Sequence, residues 1–341
     1  APETWRTCAM TSSIDWPCVA LANAPLAHRT TLKVGGQAQW LLEPNDPDQL
    51  REAWLLAKEH GLDIRILGGG ANLIIDDGIL PGVVISTQRV RRTFRPLDPG
   101  QTIDPADFTE EEAAKLLDIE APVIASDDPR LIVWGGASLP GLVRAGNELG
   151  WSGLEGLIGV PGTLGGAIAM NAGGRWGDIW DVVDMVRVLK ADGEFEDIAR
   201  ADANPGYRNG GLGDSIVVGA VLRLELDNKL RVAERAKQYL LEKRSVQPVT
   251  ESSAGCIFKN PGGAKAGNRD SEKISAGQLI DELGLKGLER GPARVSELHG
   301  NFIINRGGAS GSDVFGLIDE IKRAVQDKRG IDLEIEVKRW R

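Results

Sequence analysis

The chain has 341 residues, with 40 Lys and Arg against 49 Asp and Glu for a net charge of −9, a length that suits two or three domains sharing a ligand. That acidic excess excludes a broad electrostatic grip on nucleic acid or an anionic bilayer, so any anionic ligand must be held locally. Hydrophobic residues at 42% and charged residues at 26% exclude a disordered or fibrous chain, and the 43 glycines exceed an average share of about 7% and cluster without a period.

The N-terminal segment lacks a basic opening followed by an apolar run, and no stretch of about 18 apolar residues occurs, so neither a signal peptide nor a membrane span is expected. Cys8, Cys18 and Cys256 form no CxxC pair, which speaks against a disulfide framework or a zinc site and for a reducing, cytoplasmic setting.

Asp46 as N-cap, Pro47 at the first helical position and Gly61 beyond the end predict a helix over 47–60. Short β-type runs at 38–43, 63–67, 73–75 and 82–86 surround it. Residues 96–130 turn abruptly to Pro and Asp, with one helix expected after Thr109, and read as a surface insertion. Strand patterns resume at Leu131, followed by a helix near 138–149, a glycine-rich stretch to Gly177, and strands at 182–190 and 216–224. A helical period covers 230–245 and stops before Pro248. Residues 251–310 mix a glycine loop, a helix (SAGQLIDELG) and a strand (NFIIN). Ser312 is expected to cap a long amphipathic helix ending at Gly330. The last segment, IDLEIEVKRW, alternates with a period of two: Ile331, Leu333, Ile335 and Val337 share one face, Asp332, Glu334, Glu336 and Lys338 the other. The alternation of strand and helix in the first part predicts an α/β or α+β half-domain.

Leu67, Gly68, Gly69, Gly70, Ala71 and Asn72 join two strands in a tight turn whose glycines can take positive φ and present successive N–H groups to a diphosphate. The spacing is not that of a Rossmann fingerprint, because no helix follows. A second loop of like character holds Gly159, Pro161, Gly162, Thr163, Gly165, Gly166 and Ala167, with Asn171 and Gly173 close behind. Together the two loops suggest one dinucleotide held mainly by backbone. Walker, HExxH, nucleophile-elbow and EF-hand patterns are absent from the sequence, which argues against nucleotide hydrolysis, zinc proteolysis and serine hydrolysis. Taken singly, Cys256 is more often a small buried apolar group than a catalyst, and Arg208 in its glycine-flanked loop and Glu336 on the polar face of the last segment are more often solvated charges.

In combination, LAHRTTLKVGG (26–36), ILGGGANLII (66–75), GLEGLIGVPGTLGGAIAMNAG (153–173), GYR (206–208), SAGCIFKNP (253–261), AGQLIDELGLKG (276–287), HGNFIIN (299–305) and LEIEV (333–337) resemble the UDP-N-acetylenolpyruvoylglucosamine reductases of peptidoglycan precursor synthesis. The resemblance runs from about Leu26 to Lys338. It implies a two-subdomain FAD-binding fold of the vanillyl-alcohol-oxidase (PCMH) type plus a C-terminal substrate-binding α+β domain. The implied division is 1–83, rejoined by a C-terminal strand in 330–341, then 84–229 with the insertion, then 230–329.

The implied chemistry is NADPH-dependent reduction of an enolpyruvyl ether on UDP-N-acetylglucosamine through non-covalently bound FAD, giving UDP-N-acetylmuramate. Arg208 would stabilise the enolate, Glu336 would polarise the carboxylate with it, and Cys256 would protonate the α-carbon. Serine is commoner at that position, and the thiol brings an expectation of oxidation sensitivity. Tyr207, Lys259, Asn260 and His299 match substrate contacts. The short stretch 226–246, with Tyr239 in a helix, resembles the branch without an extra tyrosine loop. Val246 stands where some members carry a diphosphate-binding lysine, which passes that duty to Lys243, Arg244 or Lys259. The implied partners are the UDP-sugar and NADPH alone, with no metal, nucleic acid, membrane or obligatory protein partner. The glycine loops by themselves also suit a FAD-dependent sugar or lactone oxidase using oxygen, or a flavin-binding protein without turnover; the joint presence of Arg208, Cys256 and Glu336 favours the reductase.

Overall fold

A computed structural model describes residues 14–94, 128–261 and 275–341. Cys8 and most of the expected insertion, including the helix after Thr109, lie outside the described residues.

The first sheet holds β1 (Val19–Pro25), β2 (Gln37–Glu43), β3 (Ile64–Leu67) and β5 (Ile79–Ser86) in the order β1-β2-β5-β3. β1 and β2 pair antiparallel, while β2 and β3 both run parallel to β5. The parallel pairs require a crossover, and α1 (Pro47–Glu59) supplies it. Asp46 accepts the N–H of Gln49 at 2.8 Å, and Leu50, Ala53, Trp54 and Ala57 form the buried stripe. β5 continues to Ser86, so the boundary expected at 83/84 falls inside a strand of this sheet.

The second sheet is antiparallel throughout. β6 (Thr93–Phe94), β7 (Arg130–Trp134), β8 (Val183–Leu189), β9 (Phe195–Ala199) and β10 (Ile216–Arg223) lie in the order β9-β8-β10-β7-β6. Its core also takes in α2 (Leu139–Leu149) and α3 (Leu164–Ala169) through Leu139, Leu142, Leu164 and Ile168. A separate apolar cluster joins the first two sheets through Leu42, Trp54, Ile85, Phe94, Trp134 and Val218.

From Leu226 the chain enters α4 (Lys229–Val246) within three residues, capped by Asn228. The third sheet follows: β11 (Ser253–Cys256), β12 (Glu289–Arg290), β13 (Ala293–Val295) and β14 (Phe302–Asn305), in the order β11-β14-β13-β12. Its core takes in α5 (Ala276–Glu282), α6 (Gly311–Arg329) and, from the first unit, Leu32, Val34 and Ile74.

Two expectations change here. Ser310, not Ser312, caps α6: its hydroxyl accepts the Asp313 N–H at 3.0 Å while Asp313 accepts the Ser310 N–H at 3.0 Å, a capping box legible as Ser-x-x-Asp. Ser312 lies in the first turn, and its N–H and hydroxyl both donate to Asp77, which also accepts the Gly311 N–H. The C-terminal strand is also shorter than the alternation predicts. β15 is Lys338–Trp340, parallel to β4 (Leu73–Ile75). Residues 331–337 instead follow Ile257–Lys259, with Lys259 N–H donating to Glu334 O and Glu336 N–H to Ile257 O, both at 2.8 Å.

Candidate active site

In the Gly68–Asn72 turn the Gly68, Gly70 and Asn72 carbonyls are occupied while the amides of residues 68–71 are free. The Thr87 hydroxyl donates to Leu67 O (3.4 Å), the Gln88 amide to Gly68 O (3.1 Å) and the Thr31 N–H to Gly70 O (3.1 Å). Among the described residues no acceptor takes the N–H of Gly68, Gly69, Gly70 or Ala71. A run of unanswered N–H groups is an anion cradle. Of the three glycines only Gly70 has positive φ, at 60°. Gly68 and Gly69 are needed for closeness instead: a Cβ on Gly69 would lie 2.5 Å from Gly162 Cα, and one on Gly68 would lie 2.7 Å from Thr163 Oγ1.

The two glycine loops therefore meet backbone to backbone. Across that contact the buried Thr163 hydroxyl has no partner, nor does the buried Asn171 Oδ1. Buried polar atoms of this kind are costly unless a ligand answers them. Free amides, an unanswered hydroxyl and a Cβ-free approach fit the pyrophosphate of a dinucleotide such as FAD.

Beside this cradle the chain assembles a charged group from three distant segments. Tyr207 and Arg208 occupy a tight turn closed by reciprocal bonds between Gly206 and Asn209 (2.8 and 3.2 Å). Arg208 is held at φ 55° and Asn171 at φ 43°, and the Asn171 amide donates to Gly206 O at 3.0 Å. Left-handed conformations at non-glycine residues cost about 1–3 kcal/mol each and concentrate where function fixes a side chain. The Arg208 guanidinium donates from Nε to Glu336 Oε1 at 2.6 Å and from Nη1 to Gly173 O at 3.3 Å. Glu336 in turn adjoins the cofactor loop, since the Asn72 amide donates to Glu336 O at 3.4 Å.

Cys256 ends β11 just after Gly255, whose φ of 80° accompanies a register shift in the pairing with β14. Such bulges re-aim a side chain. The thiol keeps some accessible surface but is largely enclosed by protein, and burial, aided by the Glu336 carboxylate, pushes it up to about 12 against the pull of Arg208 and Lys243. A thiol held protonated is a weaker nucleophile toward oxidants than a free one and remains a proton donor. Burial also raises the Glu336 carboxyl above its ordinary value despite Arg208 beside it. Its side chain is only 9% exposed. The polar face of the last segment is therefore, at this residue, packed against Arg208 instead of solvated.

The three cations expected near the substrate diphosphate differ in their surroundings. Lys259 pairs with Glu334 at 2.5 Å, and Arg244 is exposed. Lys243 turns inward over Gly159, donates to Ile158 O at 2.8 Å, and has no carboxylate partner among the described residues. Burial lowers its ammonium to about 8, partly offset by the nearby Cys256. On the same helix Tyr239 stacks on Trp176, ring centroids 5.0 Å apart, at the tip of the Gly173–Asp178 hairpin.

Tyr207 reaches this group, its hydroxyl accepting the Asn260 N–H at 3.5 Å, and Asn260 Oδ1 accepts the Ala276 N–H at 3.1 Å at the start of α5. His299 has a different set of neighbours: its Nδ1 accepts the Asn301 N–H at 3.1 Å, its ring packs edge-on against Phe302, and burial depresses its basicity. Sequence reasoning gave no role to His28, Arg29, Thr30, Thr31 and Gln88, which with Gly69 line a cavity of about 420 Å³. They lie about 40 residues before and 20 residues after the cradle, and no spacing rule connects them to it.

Fold and site together define a flavoprotein oxidoreductase, with a run of free backbone amides and, beside it, a cluster of one thiol, one guanidinium and one carboxyl. Residues 38–105 and 111–199 match the family described as FAD binding domain, and residues 247–340 match the UDP-N-acetylenolpyruvoylglucosamine reductase C-terminal domain. Similar proteins include the UDP-N-acetylenolpyruvoylglucosamine reductases of Deinococcus radiodurans, 38% identical over 93% of this chain and 94% of that protein, and of Nostoc punctiforme, 37% identical over 94% and 86%. The crystal structure of the Thermus caldophilus reductase superposes with a TM-score of 0.70 at 33% identity, covering 95% of this chain and 98% of that one. The chain belongs to the UDP-N-acetylenolpyruvoylglucosamine reductase family.

Proposed function

We propose that this enzyme reduces the enolpyruvyl ether of UDP-N-acetylglucosamine to the lactyl ether of UDP-N-acetylmuramate in the cytoplasm, with NADPH as electron source. The observation that carries the reading is the convergence of Arg208, Glu336 and Cys256, from three separate segments, in one cluster beside the glycine-loop cradle. FAD, reduced by NADPH, supplies the hydride for the β-carbon of the enolpyruvyl group.

Negative charge then develops on the α-carbon and its carboxylate, and the protein must stabilise it before a proton arrives. Arg208, anchored through Nε by Glu336 and through Nη1 by Gly173 O, faces that charge with a fixed guanidinium. Glu336, whose carboxyl burial raises above its ordinary value, fixes the Arg208 guanidinium toward the substrate carboxylate through its bond to Nε. The Cys256 S–H bond breaks as the α-carbon C–H bond forms, and the thiolate is then reprotonated from solvent. Lys243 meets the diphosphate, and Tyr207 and Asn260 line the sugar side. Lys259 and His299 sit at the margin of this arrangement.

The test is an anaerobic absorbance experiment. NADPH bleaches the bound flavin, and the enolpyruvyl sugar nucleotide restores its colour. Recovery only on admitting oxygen would make the protein an oxidase and overturn the proposal. Arg208→Ala and Cys256→Ala should bleach normally and recover about 10²–10⁴-fold more slowly, whereas Cys256→Ser should retain activity.

A further inference from the structure

Glu155 is a buried carboxylate that the reaction leaves unused. Its side chain is 7% exposed, and it accepts the Gly153 N–H at 2.6 Å, the Ser152 hydroxyl at 2.9 Å and the Arg235 guanidinium from Nε at 3.0 Å and Nη2 at 2.7 Å. Burial opposes its charge, yet the donors around it outweigh burial and hold the carboxyl below its ordinary value. An enclosed ion pair adds little net stability, so its consequence lies in what it holds in place.

What it holds is α4. Only Val232 and Ala236 of that helix are buried, too narrow a stripe to fix its orientation by packing. Arg235, Tyr239 and Lys243, spaced by four, extend the same face. All three dock on the segment that carries the second glycine loop: Arg235 on Glu155, Tyr239 on Trp176 and Lys243 on Ile158 O. A buried ammonium paired only with a carbonyl is costly, so Lys243 does not hold itself over Gly159; the helix holds it there. Glu155 governs both sides of that placement. Its backbone O accepts the Ile158 N–H at 3.2 Å, which orients the carbonyl that Lys243 meets. Its carboxylate holds Arg235, about two turns before Lys243 on α4.

We propose that Glu155 is a positioning residue for the reaction: by holding Arg235 it sets the inward face of α4, and with it the point at which the Lys243 ammonium meets the substrate diphosphate. The inference rests on the reading that Lys243 binds that diphosphate. Glu155→Gln keeps the size of the side chain and removes its charge. The variant should fold, because Arg235 keeps Asp227 as a partner at 2.7 Å and Asn228 still caps α4.

The experiment is steady-state kinetics of the holoenzyme in a double-mutant cycle with Lys243→Met. Glu155→Gln should raise the KM for the sugar nucleotide about tenfold, as a misplaced binding group does. It should leave kcat within about twofold, because the diphosphate is held alike before and during hydride transfer. Bleaching of the flavin by NADPH should be unchanged. In the Lys243→Met background the same substitution should change KM by less than about twofold, since the cation it places is gone. An unchanged KM in the Glu155→Gln single variant, or equal losses in both backgrounds, would overturn the inference, the second result marking a general loosening of α4. Should Glu155→Gln fail to fold, Arg235→Met goes through the same cycle, with Glu155 still answered by Gly153 and Ser152. An unchanged KM in Lys243→Met alone would instead refute the diphosphate reading, and the inference with it.

Discussion

The protonation state of Cys256 gives the sharpest test of the site. Burial and the Glu336 carboxylate move its thiol from 9.0 up to about 12. At pH 8 a thiol at 9.0 is about one-tenth thiolate, and one at 12 is about 10⁻⁴ thiolate, so alkylation by iodoacetamide should be about 10³-fold slower in the native protein than after unfolding in urea. Steric shielding alone would also slow the reaction, and the pH dependence separates the two causes. A raised thiol predicts a labelling rate that climbs about tenfold per pH unit through pH 10.5, whereas a merely shielded thiol levels off above pH 9. Rates are read by mass spectrometry of the Cys256 peptide, apart from those of Cys8 and Cys18. A plateau near pH 9, or a native rate within tenfold of the unfolded one, would refute the account of this thiol as a held proton donor.

Gly69→Val should yield a protein purified without flavin, because its Cβ would stand 2.5 Å from Gly162 Cα; a fully flavinated variant would refute the contact between the loops. Lys243→Met should raise the KM for the sugar nucleotide at least tenfold while stabilising the fold by about 1–3 kcal/mol at neutral pH, since the buried ammonium is held at about 8. The unfolded chain binds more protons than the folded one between about 8 and 10.5, so Lys243 makes the parent's stability rise with pH across that window. Denaturant titrations at pH 7.5 and 10 should show that increment in the parent and lose it in the variant. Asp77→Ala should cost about 1–2 kcal/mol by removing the acceptor shared by Gly311 and Ser312 at the start of α6, an effect absent if thermal unfolding is unchanged.

Much of this molecule follows from local rules. Asp46, Pro47 and Gly61 bracket α1 because cap and start preferences belong to the backbone ends themselves, and the glycines of the cradle declare a backbone approach that no side chain could share. The family was legible for the same reason, since its residues lie in compact stretches whose order survives. Where local rules misled, the deciding neighbour lay far away in sequence. The alternation of Ile331–Lys338 identified two faces, yet only Arg208, 128 residues earlier, draws Glu336 on the polar face into a paired, enclosed position. Cys256 shows the same division. Its place after Gly255 is local, but its protonation depends on enclosure by segments that folding brings together. Arg29 shows it again: beside Glu43, 14 residues on, it reads as an ordinary surface pair until the tertiary structure buries that carboxylate and adds Arg89 to it, because burial and long-range charge exist only in the folded chain.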